Sequence, residues 1–552
     1  MTENDSARVE ASENPTMIIA GASVGTLFEW YDFFLYGALA THIAKHFFAG
    51  VDERTAFGFA LGAFAAGFIA RPFGALVFGR IGDRVGRKNT FLVTMMIMGL
   101  STFLVGLLPG YATIGVAAPI LLVALRLIQG LAIGGEYGGA AIYVAEHAPA
   151  NKRAFNTSFI NAMATCGLIT SLLVIIGCRL LLGEAVFKEW GWRVPFLISV
   201  ALLGVSLWIR MKLAESPVFQ AMKSGGTLSK APLAETFLVG RNLRLVLAVL
   251  FGAIGCTTVV WYSAQFYTLF FLQRLLKVDD LQANLLLVTA LIIAVPSFLF
   301  LGWLSDRIGR KVITMSGPIL AALTLFPAFH ALTEAANPAL AAAQRATPVM
   351  VYADPAACSV QFDPVGANKF DRSSCDIAKA YLSRAGISYR NAVLPAGSVA
   401  QIHLGDIVLA APDPRGLDAP AREAAITAFK TQAGLVLAKV GYPASADPAK
   451  VDGPKVVAII IYLVVLAAMG YAPGAAFLVE LFPARIRYTA LSFPYHLGSG
   501  WIGGLLPATA FAIVTTQGDI YAGLWYPVAF AAFGVVIGIF CLPETRGRSI
   551  SE

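Results

Sequence analysis

Glu29 and Asp32 stand three residues apart inside an otherwise apolar run, "TLFEWYDFFLYG". On a helix both carboxyls project from nearly one face. A carboxylate in hydrocarbon is costly unless it is protonated, paired or hydrated. Two neighbouring acids also disfavour each other's ionisation. Such a pair can load and release a proton. Arg126 and Gln129 open another apolar run, "RLIQGLAIGGEYGGA". The Arg126 fork suits a carboxylate, either Glu29/Asp32 or a bound solute. Glu29, Asp32 and Arg126 are therefore assigned to proton coupling, and Arg126 and Gln129 also to substrate binding. Glu136, among glycines that allow close helix packing, reads equally as a buried packing-site acid or a functional one. Further along, Trp261, Tyr262 and Gln265 fall at i, i+1 and i+4, with Tyr267 nearby. They form a mixed aromatic and amide wall for a small polar ligand, to which Tyr495 and His496 are added. His496 can titrate, although a lone intramembrane histidine is more often simply hydrogen-bonded.

These residues need a membrane around them. Of 552 residues 57% are hydrophobic and 13% charged, against about a quarter charged in a soluble domain. The formal charge of +8 is spread in short clusters between apolar runs, a pattern of bilayer orientation and not of nucleic-acid binding. Twelve apolar spans are predicted, each able to cross a ~30 Å hydrocarbon core: 17–46, 55–78, 90–109, 114–145, 155–183, 193–213, 244–272, 283–302, 312–333, 455–478, 488–516 and 524–542. The flank 1–15 is acidic and the first span is interrupted by acids, which argues against a cleaved leader. Basic residues gather in alternate loops (79–88, 146–153, 214–243, 303–311, 479–487 and after 543). That places both termini of a multi-pass membrane protein in the cytoplasm.

The chain also repeats itself. "GRIGDRVGRK" at 79–88 returns as "GWLSDRIGRK" at 302–311, each after the second helix of a set of six. Glu146 and Arg153 match Glu480 and Arg487, after the fourth helix of each set. Asp83 lies 63 positions before Glu146, and Asp306 lies 174 before Glu480, so the second half has gained 111 residues. The gain is the polar stretch 337–454, with alternating segments "TPVMVYA" and "QIHLGDIVLAA" and an amphipathic stretch at 420–439. The expected organisation is an N-terminal bundle (1–213), a cytoplasmic linker (214–243), the first part of a C-terminal bundle (244–336), an extracytoplasmic α+β insert between helices nine and ten (337–454), and the rest of the C-terminal bundle with a short tail (455–552). Cys358 and Cys375 in the exported insert are expected to form a disulfide. Cysteine and histidine spacing offers no metal site and implies no cofactor.

Two six-helix halves with Gly-x-x-x-Asp-Arg-x-Gly-Arg-Lys after helices two and eight resemble the major facilitator superfamily. "FEWYDFFLYG", "RLIQGLAIGGEYGGA" and "GWRVPF" resemble its metabolite:proton symporter branch, which includes bacterial carriers for α-ketoglutarate, citrate, shikimate and proline/betaine. "PETRG" at 543–547 is similar to the sugar porters. The resemblance covers all but the insert. It implies a non-enzymatic transporter that binds a small molecule and protons as a monomer, and a role for Arg126, because an arginine followed by Gln-Gly is typical of proton-linked carriers. Asp83, Arg84, Arg87, Glu146 and Arg153, with Asp306, Arg307, Arg310, Glu480 and Arg487, are read as a cytoplasmic gate of ion pairs between the halves. A solvated loop obeying the orientation rule would explain the basic residues, but not the paired aspartates, the fixed glycines or the repetition. With no Gly-x-x-x-x-Gly-Lys-[Ser/Thr], ATP drive has no support. The expected function is proton symport of an organic acid by alternating access. A betaine-like zwitterion carrier is the second reading, and a sensor that binds ligand or an extracytoplasmic partner through the insert is the third.

Overall fold

Backbone polar groups in hydrocarbon must be satisfied within the segment, so the long apolar runs become helices. The computed structural model describes residues 15–49, 53–211, 215–359 and 370–550. The acidic flank before residue 15, and the last residues of the predicted sixth span, lie outside them. The first half contains α1 (Pro15–Ala38), α2 (Ala40–Phe47), α3 (Glu53–Arg84), α4 (Arg87–Leu107), α5 (Ala117–His147), α6 (Arg153–Leu182) and α7 (Val194–Met211). The second half contains α8 (Gly240–Leu275), α9 (Asp280–Ile308) and α10 (Arg310–Ala336). Ten helices among the described residues are long and apolar enough to cross a membrane. At 24 and 32 residues, α1 and α3 are also long, and they carry Glu29 and Asp32, and Arg71. The predicted span 17–46 is broken at Leu39 into α1 and α2.

Helices α3 and α5 meet backbone to backbone. A Cβ on Gly130 would lie 2.2 Å from the Gly67 carbonyl oxygen, and one on Gly134 would lie 2.2 Å from that of Arg71. Small residues are what permit such an approach. Gly134→Ala should therefore push the two helices apart at a cost of ~1–3 kcal/mol. A lower melting temperature in detergent is the expected result.

After α10 come α11 (Pro338–Ala346), β1 (Val349–Ala353), α12 (Ser374–Arg384), β2 (Tyr389–Val393), β3 (Gln401–Leu404), β4 (Ile407–Ala410) and α13 (Ala419–Lys439). The strands form one sheet in the order β2-β1-β3-β4, with β1 parallel to β2 and antiparallel to β3. The two alternating segments supply β1, β3 and β4. Strand β2, at the edge, escapes a periodicity reading because only Tyr389 of its five residues is buried. Helix α13 buries Phe429, Ala433 and Leu437, a stripe at four-residue spacing. Cys358 and Cys375 are bonded, with Cα atoms 5.3 Å apart. The segment is fastened to the second half: Tyr389 Oη donates to the Thr515 carbonyl at 2.5 Å, and Asn391 donates to that of Gln517 at 3.2 Å. The chain then completes the bundle with α14 (Gly453–Leu481), α15 (Arg487–Gln517) and α16 (Ala522–Cys541). Helix α8 contains π-turns at 250–255, 263–267 and 271–275, and α15 contains one at 498–503. Such irregularities concentrate at functional sites.

Candidate functional site

Each charged decapeptide turns the chain through a glycine with positive φ, Gly86 at 135° and Gly309 at 125°, a conformation costly for other residues. The turn is followed by a crossing contact. Asp83 accepts from the backbone N–H groups of Tyr488 (3.0 Å) and Thr489 (2.9 Å) at the start of α15. Asp306 accepts from those of Ala154 (3.0 Å) and Phe155 (2.8 Å) at the start of α6. Free N–H groups and the positive dipole end of a helix favour a carboxylate there. Each aspartate thus belongs to one half and caps a helix of the other.

Two ion pairs cross in the same way, and each is joined by an arginine of the glutamate's own half. Arg487 lies 2.8 Å from Glu146, and Arg153 lies 2.7 Å from Glu480. Arg87 is 3.7 Å from Glu146, and Arg310 is 3.3 Å from Glu480. All six of these side chains are nearly or fully buried. Arg84 and Arg307 differ from the sequence expectation. Both are exposed, and Arg307 lies over the Trp303 ring at 3.9 Å. The second arginine of each motif, and not the first, enters the buried cluster.

Sequence reasoning missed a further symmetric pair. Glu215 accepts from the backbone N–H groups of Arg87 and Lys88 at 3.1 and 3.2 Å, capping α4. Glu544 does the same for Arg310 and Lys311 at 2.8 and 3.0 Å, capping α10. Burial works against the ionised Glu544, yet four backbone N–H groups hold its carboxyl below the usual glutamate range. The following hydroxyls, Ser216 and Thr545, donate to Glu146 and Glu480. The available signal was a Glu-Ser and a Glu-Thr after the sixth helix of each half.

The second constellation is buried within the first half of the bundle. Asp32 accepts from Ser199 Oγ at 2.5 Å and is also hydrogen-bonded by Thr102. Gln129 Nε2 donates to Thr102 Oγ1 at 2.8 Å, and Arg126 donates to Gln129 Oε1. The Arg126 guanidinium also lies 4.1 Å from the Tyr36 ring centre. Arg126, Gln129 and Asp32 are thereby joined in one polar chain; Glu136, within electrostatic reach of Asp32, and Glu29 are buried in the same half. Facing them from α8, Trp261 packs on Trp30 with ring centres 5.6 Å apart. Tyr495 stacks on Tyr137 at 3.6 Å. Both amide atoms of Gln265 and both ring nitrogens of His496 are buried and find no hydrogen-bond partner among the described residues. Buried polar groups left unsatisfied are uncommon, and His496 lies within electrostatic reach of Arg71 in the other half.

Arg71 was not foreseen. It is 2% exposed, and its guanidinium sits 4.3 Å from the ring centres of both Phe33 and Phe68. It makes no ion pair with any described residue. Tyr262, Tyr471, Tyr495 and His496 lie within its electrostatic reach. The span 55–78 reads as an ordinary apolar run, and its one signal was an Arg-Pro step at its middle.

A helical bundle is thus tied at one end by duplicated ion pairs, with further charged side chains buried within it. The model of the sugar (and other) transporter family matches residues 18–241 and 424–552, and the chain belongs to this family, within the major facilitator superfamily. Among relatives, the proline/betaine transporter of Salmonella typhimurium is 35% identical over 56% of this chain. The chain spans only 63% of that transporter's length. The shikimate transporter of Escherichia coli is 36% identical over 56% of this chain and 71% of its own length. The α-ketoglutarate permease of Escherichia coli is 34% identical over 58% and 72%. In fold, the chain is similar to the proton:xylose symporter XylE bound to 6-bromo-6-deoxy-D-glucose, with a TM-score of 0.59, 17% identity and 98% of both chains covered.

Proposed function

We propose that the chain is a proton-coupled secondary transporter that imports a small organic acid by alternating access. It works as a monomer in a bacterial inner membrane, with twelve spans in two halves, both termini in the cytoplasm and the segment 337–454 outside. One observation carries the choice of substrate: Arg71 is a buried cation at the meeting of the halves, with no carboxylate paired to it among the described residues. An uncompensated buried charge is costly. A substrate carboxylate would supply the missing partner, and His496, with no hydrogen-bond partner of its own among the described residues, lies within electrostatic reach. Relatives that carry shikimate, α-ketoglutarate and proline/betaine support a carboxylate-bearing cargo. The gate reading is supported by the crossed pairs Glu146–Arg487 and Glu480–Arg153. They would hold the cytoplasmic side shut and part as it opens.

Trp30, Trp261, Phe34 and Phe266 favour a second reading. Trp30–Trp261 and Phe34–Phe266 pack with ring centres 5.6 and 5.4 Å apart, and aromatic faces attract quaternary ammonium groups. Arg71 and these rings together would suit a betaine-type zwitterion. Uptake into proteoliposomes of labelled α-ketoglutarate, shikimate, glycine betaine and proline, with and without an uncoupler, separates the two. The first reading expects uncoupler-sensitive uptake of the acids over the zwitterions. Asp32→Asn and Glu29→Gln should each abolish uptake driven by a proton gradient and spare counterflow exchange. Uptake unchanged in both variants would refute the coupling role.

A further inference from the structure

One short stretch of the segment after α10 holds two helix ends at once. Beyond α12 the chain turns through Gly386, at φ 73°, and packs against the end of α8. A Cβ on Gly386 would lie 1.8 Å from the Leu275 carbonyl oxygen. From Ser388 onward the same stretch meets the end of α15. Tyr389 N–H donates to the Gly518 carbonyl, Tyr389 Oη donates to that of Thr515 at 2.5 Å, and Asn391 Nδ2 donates to that of Gln517 at 3.2 Å. Ser388 Oγ donates to Asp519 Oδ1 at 3.4 Å and accepts from Ile520 N–H at 3.2 Å. The last carbonyls of a helix have no partner within it; at α15 the strand β2 supplies donors from outside. The contact is close on this side too. A Cβ on Gly518, at φ 82°, would lie 2.5 Å from the Tyr389 ring.

Both helices need such support. Helix α8 carries three π-turns, the last of them ending at Leu275, and α15 carries one at 498–503. Helices bend at such turns. Both also touch the first half. Trp261 and Phe266 of α8 pack on Trp30 and Phe34, and a Cβ on Gly500 of α15 would lie 3.0 Å from the Phe68 carbonyl oxygen. Two irregular helices with loose ends would flex separately as the halves part. A stretch that packs on one end and caps the other removes that freedom. Further ties hold the α8 end: Asn337 Nδ2 donates to the Leu276 carbonyl at 2.9 Å, and Ala446 N–H to that of Lys277 at 3.0 Å.

We propose that residues 386–391 are a brace that makes the adjoining ends of α8 and α15 one rigid unit, so that this side of the second half moves as a body while the halves rock. The inference rests on the alternating-access reading above, and it gives the inserted segment a part in the carrier itself. The test uses the full-length protein with its four free cysteines, Cys166, Cys178, Cys256 and Cys541, replaced by alanine. Spin labels on Arg274→Cys and Thr516→Cys, at exposed positions near the two helix ends, report their separation by pulsed electron paramagnetic resonance. The parent should give one narrow distribution, unchanged when Arg153→Gln with Arg487→Gln removes the crossed ion pairs. A second label pair, Val116→Cys with Thr516→Cys, spans the halves and should shift by several ångströms between the same two backgrounds. Gly386→Ala, whose Cβ has no room at Leu275, and the milder Tyr389→Phe should each broaden the distribution between positions 274 and 516 at least twofold. A separation of 274 and 516 that shifts when the ion pairs are removed, or that stays narrow in both brace variants, would overturn the proposal. A fixed separation of 116 and 516 would count against alternating access instead, and the width in Gly386→Ala and Tyr389→Phe would still decide the brace.

Discussion

Arg71→Gln is expected to weaken binding of the transported acid by ~30-fold or more while leaving the empty protein as stable as before, or more so. The two halves of this expectation come from one cause. Removing one partner of a buried, hydrogen-bonded charge pair costs ~2–5 kcal/mol, and each 1.4 kcal/mol is about tenfold in affinity. In the empty protein, however, Arg71 has no ion-pair partner among the described residues, and its burial is offset by the Phe33 and Phe68 faces and the neighbouring Tyr262. Neutralising it there removes a desolvation cost that nothing charged repays. A purely structural Arg71 would behave oppositely, with the variant melting earlier and any surviving protein binding normally. Arg71→Lys should recover little, since an ammonium lacks the planar fork that matches a carboxylate. Equilibrium binding of the labelled acid, beside thermal melting of the same preparations, reads both quantities.

The second large effect is expected at the charged end. Arg153→Gln with Arg487→Gln leaves Glu480 and Glu146 without their partners across the halves. Breaking a buried pair by removing one member costs ~3–5 kcal/mol. The cost falls on the closed arrangement, because only there do these groups meet. A bias of ~3 kcal/mol changes a two-state ratio by a factor on the order of a hundred. Ser492 reports it: the residue is fully buried and lies against Gly138 of the other half. A cysteine introduced as Ser492→Cys should react slowly with a permeant alkylating reagent in the parent and at least tenfold faster in the double variant. Exchanging one pair, Glu146→Arg with Arg487→Glu, should restore part of the protection. Equal reactivity in all backgrounds would mean that the pairs do not hold this end closed.

How much of this was readable in the residues depends on the signal each element leaves. The duplicated loops were legible because charge in an apolar chain is rare and the spacing recurs. Their crossed geometry was not, since nothing local to Asp83 says that it caps a helix beginning at Arg487. Glu215 and Glu544 were hidden for the same reason: a capping carboxylate looks like any surface acid until the helix end it meets is known. Arg71 was overlooked because hydropathy averages over a span, and one cation among apolar neighbours barely lowers it. The polar chain from Arg126 through Gln129 to Asp32 was half legible. Its end members were chosen for burial and charge, but Thr102 and Ser199, which join it up, carry no distinguishing pattern. In the segment after α10, strands with two alternating faces were readable and the exposed edge strand was not.

The central claim is that buried carboxyls carry hydrogen ions inward with the solute. Sealed liposomes holding the purified chain, in weakly buffered medium with a pH electrode outside, test it directly. Adding the transported acid should raise the external pH in step with its uptake, and Asp32→Asn should abolish that rise. Solute entry at an undiminished rate without a proton gradient, and with no movement of external pH, would contradict the account.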